Sequence, residues 1–100
     1  MKKTTCLLLL IFPFIETAQA ESLKGGYPAC MSEELLTEFS VAYGENERAT
    51  QYLLNNGCAF PRAGIKVSVL EVSWTGKIKV RAYTSNGAII LWTYTENLQR

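Results

Sequence analysis

The sequence predicts a small α+β domain in which a helical hairpin framed by a disulfide is followed by an antiparallel β-meander. Three observations support this prediction. Apolar residues recur at helical spacing up to residue 55, they alternate with polar residues from Ala63 onward, and the two cysteines beyond residue 20 flank the helical part. A chain of 100 residues with 48% hydrophobic residues has room for one such domain.

Residues 1–20 are predicted to be a cleaved secretory signal peptide of bacterial style. Two lysines precede an apolar run from Cys6 to Ile15, and Ala18-Gln19-Ala20 supplies the small residues that a signal peptidase reads. The run is about half as long as a membrane-spanning helix, so a permanent anchor is the weaker interpretation. We expect the mature chain, residues 21–100, to be a single small domain that is periplasmic or secreted and does not insert into the membrane.

The mature chain keeps two cysteines, Cys30 and Cys58. Two cysteines in an exported chain most often pair. Closing this loop would stabilise so small a domain by about 3–4 kcal/mol. The alternative, a redox-active pair, calls for C-x-x-C spacing, which the sequence lacks. We therefore predict a structural disulfide.

Residues 30–58 are predicted to form the helical hairpin, behind a flexible lead-in of residues 21–29 that is rich in glycine. Ser32 is a good N-cap for the first helix, and Gly44 ends that helix. A second short helix begins near Asn46 and stops at an Asn-Asn-Gly sequence. The apolar stripe of the first helix consists of Leu35, Leu36, Phe39, Ala42 and Tyr43.

Residues 59–100 are predicted to form the strands. Three runs with a period of two follow one another, and the turn sequences between them include Asn86-Gly87, the strongest short hairpin signal. The runs cover residues 65–69, 77–82 and 88–95, with Ala59-Phe60 as a fourth short strand and Glu96-Asn97-Leu98 as a terminal turn.

The C-terminal half resembles bacterial SH3-like domains. The resemblance rests on the segments Gly64–Leu70, Gly76–Ala82, Asn86-Gly87 and Leu91-Trp92-Thr93. It implies a small, partly open barrel that is an exported binding module for peptides or cell-wall material and performs no catalysis. The helical hairpin stands where such domains have their early strands, so helices packed on an open meander are the alternative fold.

The two halves of the mature chain carry opposite charges. Residues 21–60 contain 6 Glu and 2 basic residues, whereas residues 61–100 contain 2 Glu and 6 basic residues, so the net charges are −4 and +4. One interpretation is that acidic helices face a basic sheet inside the molecule. The other is that Lys77, Lys79 and Arg81 form a basic strand face for an anionic partner. Neither charge set is large enough to indicate binding of nucleic acid.

No catalytic site, cofactor site or metal site is predicted. The chain contains no His and no Asp, which removes the usual catalytic triads, histidine metal sites and the commonest general base. The adjacent Glu33 and Glu34 point about 100° apart on a helix, as expected for a solvated first turn. We therefore expect the protein not to be an enzyme.

Aromatic residues are the best candidates for a ligand site. Trp74 lies in a predicted turn, where it either folds back as a lid over the sheet edge or stacks on a ligand. Tyr83, Trp92 and Tyr94 could converge on one face as a groove for an extended peptide, although Trp92 also suits the core. Arg81 could hold a carboxylate through its fork of donors. The predicted ligand-binding residues are Trp74, Lys79, Arg81, Tyr83, Trp92 and Tyr94.

The expected function is an exported, non-catalytic binding module for a peptide, a cell-wall fragment or an envelope protein. The alternative is a small disulfide-bonded inhibitor, immunity or assembly-accessory protein that acts through a protein–protein interface. An exposed edge strand in so short a sheet would also allow a homodimer.

Overall fold

Two helices and a curled antiparallel sheet of seven strands make up the computed structural model, which describes residues 21–99. The predicted signal peptide lies outside the described residues. The helices are α1 (Glu33–Ala42) and α2 (Glu47–Asn55). The strands are β1 (Ser22–Leu23), β2 (Ala29–Cys30), β3 (Cys58–Ala59), β4 (Lys66–Val72), β5 (Lys77–Thr84), β6 (Gly87–Tyr94) and β7 (Leu98–Gln99).

The strands follow the order β3-β2-β6-β5-β4-β1-β7, and each neighbouring pair is antiparallel. The three long strands β4, β5 and β6 form the predicted meander. Strands β1 and β7, from the two ends of the described chain, continue the sheet beyond β4, and β2 and β3 continue it beyond β6. The α+β prediction is confirmed, and the sheet curls into half of a barrel.

The helical hairpin is held by the caps that the sequence indicates. The Oγ of Ser32 accepts a hydrogen bond from the main-chain N–H of Leu35 at 3.1 Å, which begins α1. The side chain of Asn46 accepts in the same way from the N–H of Ala49 at 3.0 Å, which begins α2. After α1, Gly44 adopts a positive φ of 86° and turns the chain toward α2.

The predicted disulfide is present and closes the base of the hairpin. Cys30 on β2 and Cys58 on β3 are direct cross-strand partners, and their Cα atoms lie 4.0 Å apart. Because β2 precedes α1 and β3 follows α2, the bridge ties the two ends of the helical segment to one another and to the sheet.

The expected flexible lead-in is instead built into the sheet. Residues 21–29 contain β1 and the start of β2, and Leu23 is only 1% exposed. The N–H of Leu23 donates to the carbonyl of Ile65, and the N–H of Gly64 donates to the carbonyl of Leu23. A single leucine among polar and glycine residues shows no period, which is why the sequence did not reveal this strand.

The other short elements lie close to their predicted places. Strand β3 begins and ends one residue before the predicted Ala59-Phe60. A single turn of 3₁₀ helix, Thr95–Asn97, forms the predicted terminal turn. Among residues 21–99 no helix is long and apolar enough to cross a membrane.

Two apolar clusters lie on opposite faces of the sheet. Because β5 alternates, Ile78, Val80 and Ala82 point to one face and its lysines and arginine to the other. The barrel-side core fills the inside of the curl and consists of Leu23, Val67, Ile78, Val80, Ala82 and Leu98. The helix-side core lies between the helices and β2, β3 and β6, and consists of Cys30, Leu36, Phe39, Ala42, Leu53 and Cys58.

Candidate binding surface

Five of the six predicted ligand residues share the face of the sheet that lies opposite the barrel-side core. Direct partners across an antiparallel pair of strands point to the same face. The outward residues of β5 therefore share a face with their partners on β6. These pairs are Lys77–Tyr94, Lys79–Trp92, Arg81–Ile90 and Tyr83–Ala88.

Helix α1 covers one end of this face. Trp92 and Tyr94 are half-buried and pack against the helix-side core, which agrees with the interpretation of Trp92 as a core residue. The hydroxyl of Tyr94 is hydrogen-bonded to that of Ser40 on α1. Burial raises the pKa of Tyr94 above its usual value, and the charge of Glu96 raises it further. These two aromatic side chains anchor the helix to the sheet.

Beyond α1 the same face is uncovered, and we call this part the open face. It combines cations, hydroxyl groups and apolar side chains on three adjacent strands. Tyr83 is 46% exposed there, beside the exposed Arg81. The open face consists of Lys66, Ser68 and Glu71 on β4, Lys79, Arg81 and Tyr83 on β5, and Ala88 and Ile90 on β6.

Polar contacts organise the centre of the open face. The hydroxyl oxygens of Ser68 and Tyr83 lie 2.9 Å apart and share a hydrogen bond. This bond is the main cause of the lowered pKa of Tyr83. A hydrogen bond with Arg81 and the positive charge of Arg81 lower that pKa further. Lys79 Nζ lies 4.0 Å from Glu71 Oε1, so this cation has a partner within the sheet. Within residues 22–99, no carboxylate forms an ion pair with Lys66 or Arg81.

Trp74 stands apart from the open face. It occupies the turn between β4 and β5 and is 95% exposed, so the ring does not fold back over the sheet edge as a lid. Lys77 begins β5 at this turn, and Tyr83 lies six residues further, which is about 20 Å along an extended strand. The six predicted residues therefore do not form one groove.

The opposite charges of the two halves meet only in part. A shallow cleft brings Glu33 and Glu34, at the start of α1, close to Thr75 and Lys77 of the sheet. Within residues 22–99, however, no ion pair joins a helix to a strand. The basic half of the chain therefore keeps cations that the acidic helices do not cover.

Sequence reasoning missed Lys66, Ser68 and Ile90, which border Arg81 and Tyr83. Their place on the open face follows from the pairing of β4 and β6 with β5. The sequence does show Lys66 and Ser68 alternating with Val67, and it shows basic residues at alternate positions of β5. Together these two patterns could have placed Lys66 and Ser68 on the same face as Arg81.

Within the part of the chain that the structure describes, no group of His, Cys, Asp or Glu side chains is arranged to hold a metal ion. In comparisons with known proteins, no family model, no curated protein and no solved structure matches this chain.

Proposed function

We propose that this protein is an exported, non-catalytic binding module that recognises a peptide, a cell-wall fragment or an envelope protein through its open face. The observation that carries the proposal is the exposure of Arg81 and Tyr83 side by side, with Ile90 as their apolar neighbour. A guanidinium group, a phenol and an aliphatic side chain on a rigid sheet offer hydrogen bonds, charge and apolar contact at little entropic cost.

Two further features support this proposal. The disulfide between Cys30 and Cys58 suits an oxidising compartment such as the periplasm or the outside of the cell. A chain without His and without Asp lacks the groups on which most hydrolytic and redox sites depend, so we propose binding rather than catalysis.

The SH3-like assignment belongs to the same proposal. It is supported by the meander of β4, β5 and β6, which curls around an apolar core as in small, partly open barrels. This chain adds the helical hairpin between β2 and β3, and it extends the sheet with the short strands β1 and β7.

Co-sedimentation with purified cell-wall sacculi, and capture from an envelope extract, would test the open face. The test variant carries Arg81→Ala and Tyr83→Ala. The control carries Arg48→Ala and Tyr52→Ala, which remove an exposed arginine and an exposed tyrosine from α2. We expect the test variant to lose binding by about tenfold or more and the control to retain it, with equal melting temperatures. Binding that survives the test variant, or no binding in either assay, would refute the proposal.

A second candidate function is an inhibitor, immunity or assembly-accessory protein that acts through the helical hairpin. The outer groove between α1 and α2 is floored by Ala42 and Ala49 and bordered by Val41 and Tyr52, both of which are well exposed. Exposed apolar side chains on adjacent helices are typical of protein interfaces. Binding that is lost only in the Arg48 and Tyr52 variant would favour this second function.

A further inference from the structure

Among residues 21–99, the outer edge of β4 has a partner strand over only a short part of its length. On one side β4 pairs with β5 along its whole length, whereas on the other side β1 pairs with it at Lys66, and the N–H of Val67 donates to the carbonyl of Glu21. From Ser68 to Val72 no strand of residues 21–99 lies along this outer edge. Its main-chain groups are therefore in position to pair with an added strand.

Four hydrogen-bond donors, two on β4 and two one strand inward on β5, lie at one end of the open-face side of this edge, and Glu71 lies at its other end. Lys66 is the cross-strand partner of Tyr83, and Ser68 is the cross-strand partner of Arg81. Direct partners have Cβ atoms about 5 Å apart, and neighbours along a strand on the same face are about 7 Å apart. The four side chains thus form one compact group, and within residues 22–99 neither of its cations is in an ion pair.

The barrel side of the same edge is apolar. Val69 and Val72 are the partners of Val80 and Ile78, so they point toward the barrel-side core. Val72 nevertheless remains 69% exposed, because no strand of residues 21–99 pairs with this end of the outer edge. Leu70, where the register shifts, is also exposed. An added strand would bury apolar surface on this side.

We infer that the outer edge of β4 binds an extended protein segment whose side chains alternate between acidic and apolar. Successive side chains of a strand point to opposite faces. The acidic side chains of such a segment would meet Lys66, Ser68, Arg81 and Tyr83, and its apolar side chains would cover Val72. This inference rests on the proposed function and specifies its ligand class.

The exposed Trp74 limits the length of the bound segment. It lies two residues beyond the end of β4 and six residues beyond Ser68, which is about 20 Å of extended chain. A bound segment of about six residues that begins beside Ser68 therefore reaches the exposed indole ring. An aromatic side chain at the end of the edge would bury a terminal apolar residue of the ligand.

A flexible segment fits this edge better than the β4 of a second copy. The register shift between Val69 and Glu71 interrupts the regular pairing of β4. Such irregularities bend a strand and increase its twist, which opposes the pairing of two long edges from folded domains. A short flexible segment can follow the bend.

The test uses the full chain, expressed in a bacterium and purified from its periplasm. The probe is a fluorescein-labelled peptide of five Glu-Val repeats, and binding is followed by fluorescence anisotropy. Five Lys-Val repeats form the charge control. A Glu-Val peptide with N-methyl groups on alternate amides forms the pairing control, because methylation removes the N–H donors that an added strand needs. We expect only the unmodified Glu-Val peptide to bind.

Two variants with equal changes in charge locate the site. Lys66→Ala with Arg81→Ala removes both cations of the donor group, and Arg48→Ala with Arg62→Ala removes two exposed cations elsewhere. We expect the first variant to bind the Glu-Val peptide about tenfold more weakly or worse, and the second to bind within about twofold. Trp74→Ala should weaken binding of the ten-residue peptide and leave a four-residue Glu-Val peptide unaffected. Circular dichroism and melting temperature establish that each variant is folded.

Several results would overturn the inference. Equal binding of the Lys-Val peptide would contradict the charge argument, and equal binding of the methylated peptide would contradict strand pairing. A dimer in analytical ultracentrifugation that excludes the peptide would assign the edge to a second copy. If the Glu-Val peptide does not bind, while envelope binding still depends on Arg81 and Tyr83, the inference fails and the proposed function stands.

Discussion

The two cores of this protein are closed by different means. The helix-side core is built from one continuous stretch, residues 30–58, and a disulfide joins the ends of that stretch. The barrel-side core is assembled from distant parts of the chain, since Leu23 and Leu98 pair with each other as neighbours on β1 and β7. One core is thus local and covalently closed, and the other depends on contacts that form only when the whole chain is folded.

A buried asparagine takes the place of the disulfide on the barrel side. Asn97 is fully buried, and its amide group donates to the hydroxyl of Thr93, which donates to the carbonyl of Pro28. The side-chain oxygen of Asn97 accepts from the N–H of Gly25 at 3.0 Å, and its main-chain carbonyl accepts from Lys24 at 2.7 Å. This network fastens both ends of the described chain to β6.

Removal of the disulfide should have the largest effect on stability. We expect this effect to be confined to the helix-side core. We expect Cys30→Ala with Cys58→Ala to lower the free energy of unfolding by about 3–4 kcal/mol, because the unfolded chain regains the entropy of an open loop. Urea denaturation measures this loss. Hydrogen exchange should show that the amides of α1 and α2 lose protection before those of β5.

Wild-type protein treated with a reductant is the control for this pair of substitutions and should lose the same stability. Equal loss of protection on both sides of the sheet would show that the two cores unfold as one unit. The local and the non-local core would then not differ in stability.

Asn97→Ala should have the next largest effect on stability, and we expect it to act on the barrel-side core. It leaves the N–H of Gly25 without its acceptor and the hydroxyl of Thr93 without a donor. We expect a loss of about 2–3 kcal/mol, since unsatisfied buried polar groups keep their desolvation cost. Asn55→Ala, at an exposed position in α2, is the control and should change stability by less than about 0.5 kcal/mol. Protection should fall first at β1 and β7, and a loss centred on the helices would contradict the assignment.

The same contrast explains which parts of the fold could be predicted. The helical hairpin has caps, a stripe and a stop within a short stretch, and the structure confirms it from Ser32 onward. The β5–β6 hairpin was equally visible, because alternation and Asn-Gly are local signals. Leu23 and Asn97 could not be predicted as buried, since their burial depends on partners far along the chain.

The candidate site likewise contains residues that local sequence patterns could place and residues that only the tertiary structure places. Alternation along β5 was enough to place Lys79, Arg81 and Tyr83 on one face. The covering of Trp92 by α1 depends on tertiary packing, and the placement of Lys66 beside Tyr83 depends on strand register. Neither of these leaves a pattern in the sequence.

The smallest expected effect is a difference in pKa between two tyrosines, one at the covered end and one at the open end of the same face of the sheet. Tyr83 and Tyr94 lie on the same face, yet the pKa of Tyr83 is lowered by Ser68 and Arg81, and that of Tyr94 is raised by burial. In a spectrophotometric titration we expect Tyr83 to ionise before Tyr94. Tyr83→Phe should remove an early step, and Tyr94→Phe a late one. Ser68→Ala should move the Tyr83 step to higher pH, because the hydrogen bond that favours the phenolate is lost.

Linkage between ionisation and folding gives the two tyrosines different consequences at alkaline pH. The pKa of Tyr94 is higher in the folded protein than its usual value of about 10, so folding favours the neutral phenol. Its contribution to stability is complete below the unfolded pKa and is lost as pH rises through the folded pKa. Tyr94→Phe should therefore make the melting temperature fall less steeply as pH rises above about 10. Tyr83→Phe should not reduce the steepness of this fall. If Tyr94 instead ionises together with Tyr83, α1 does not cover this end of the sheet in solution, and the open face extends along the whole of β6.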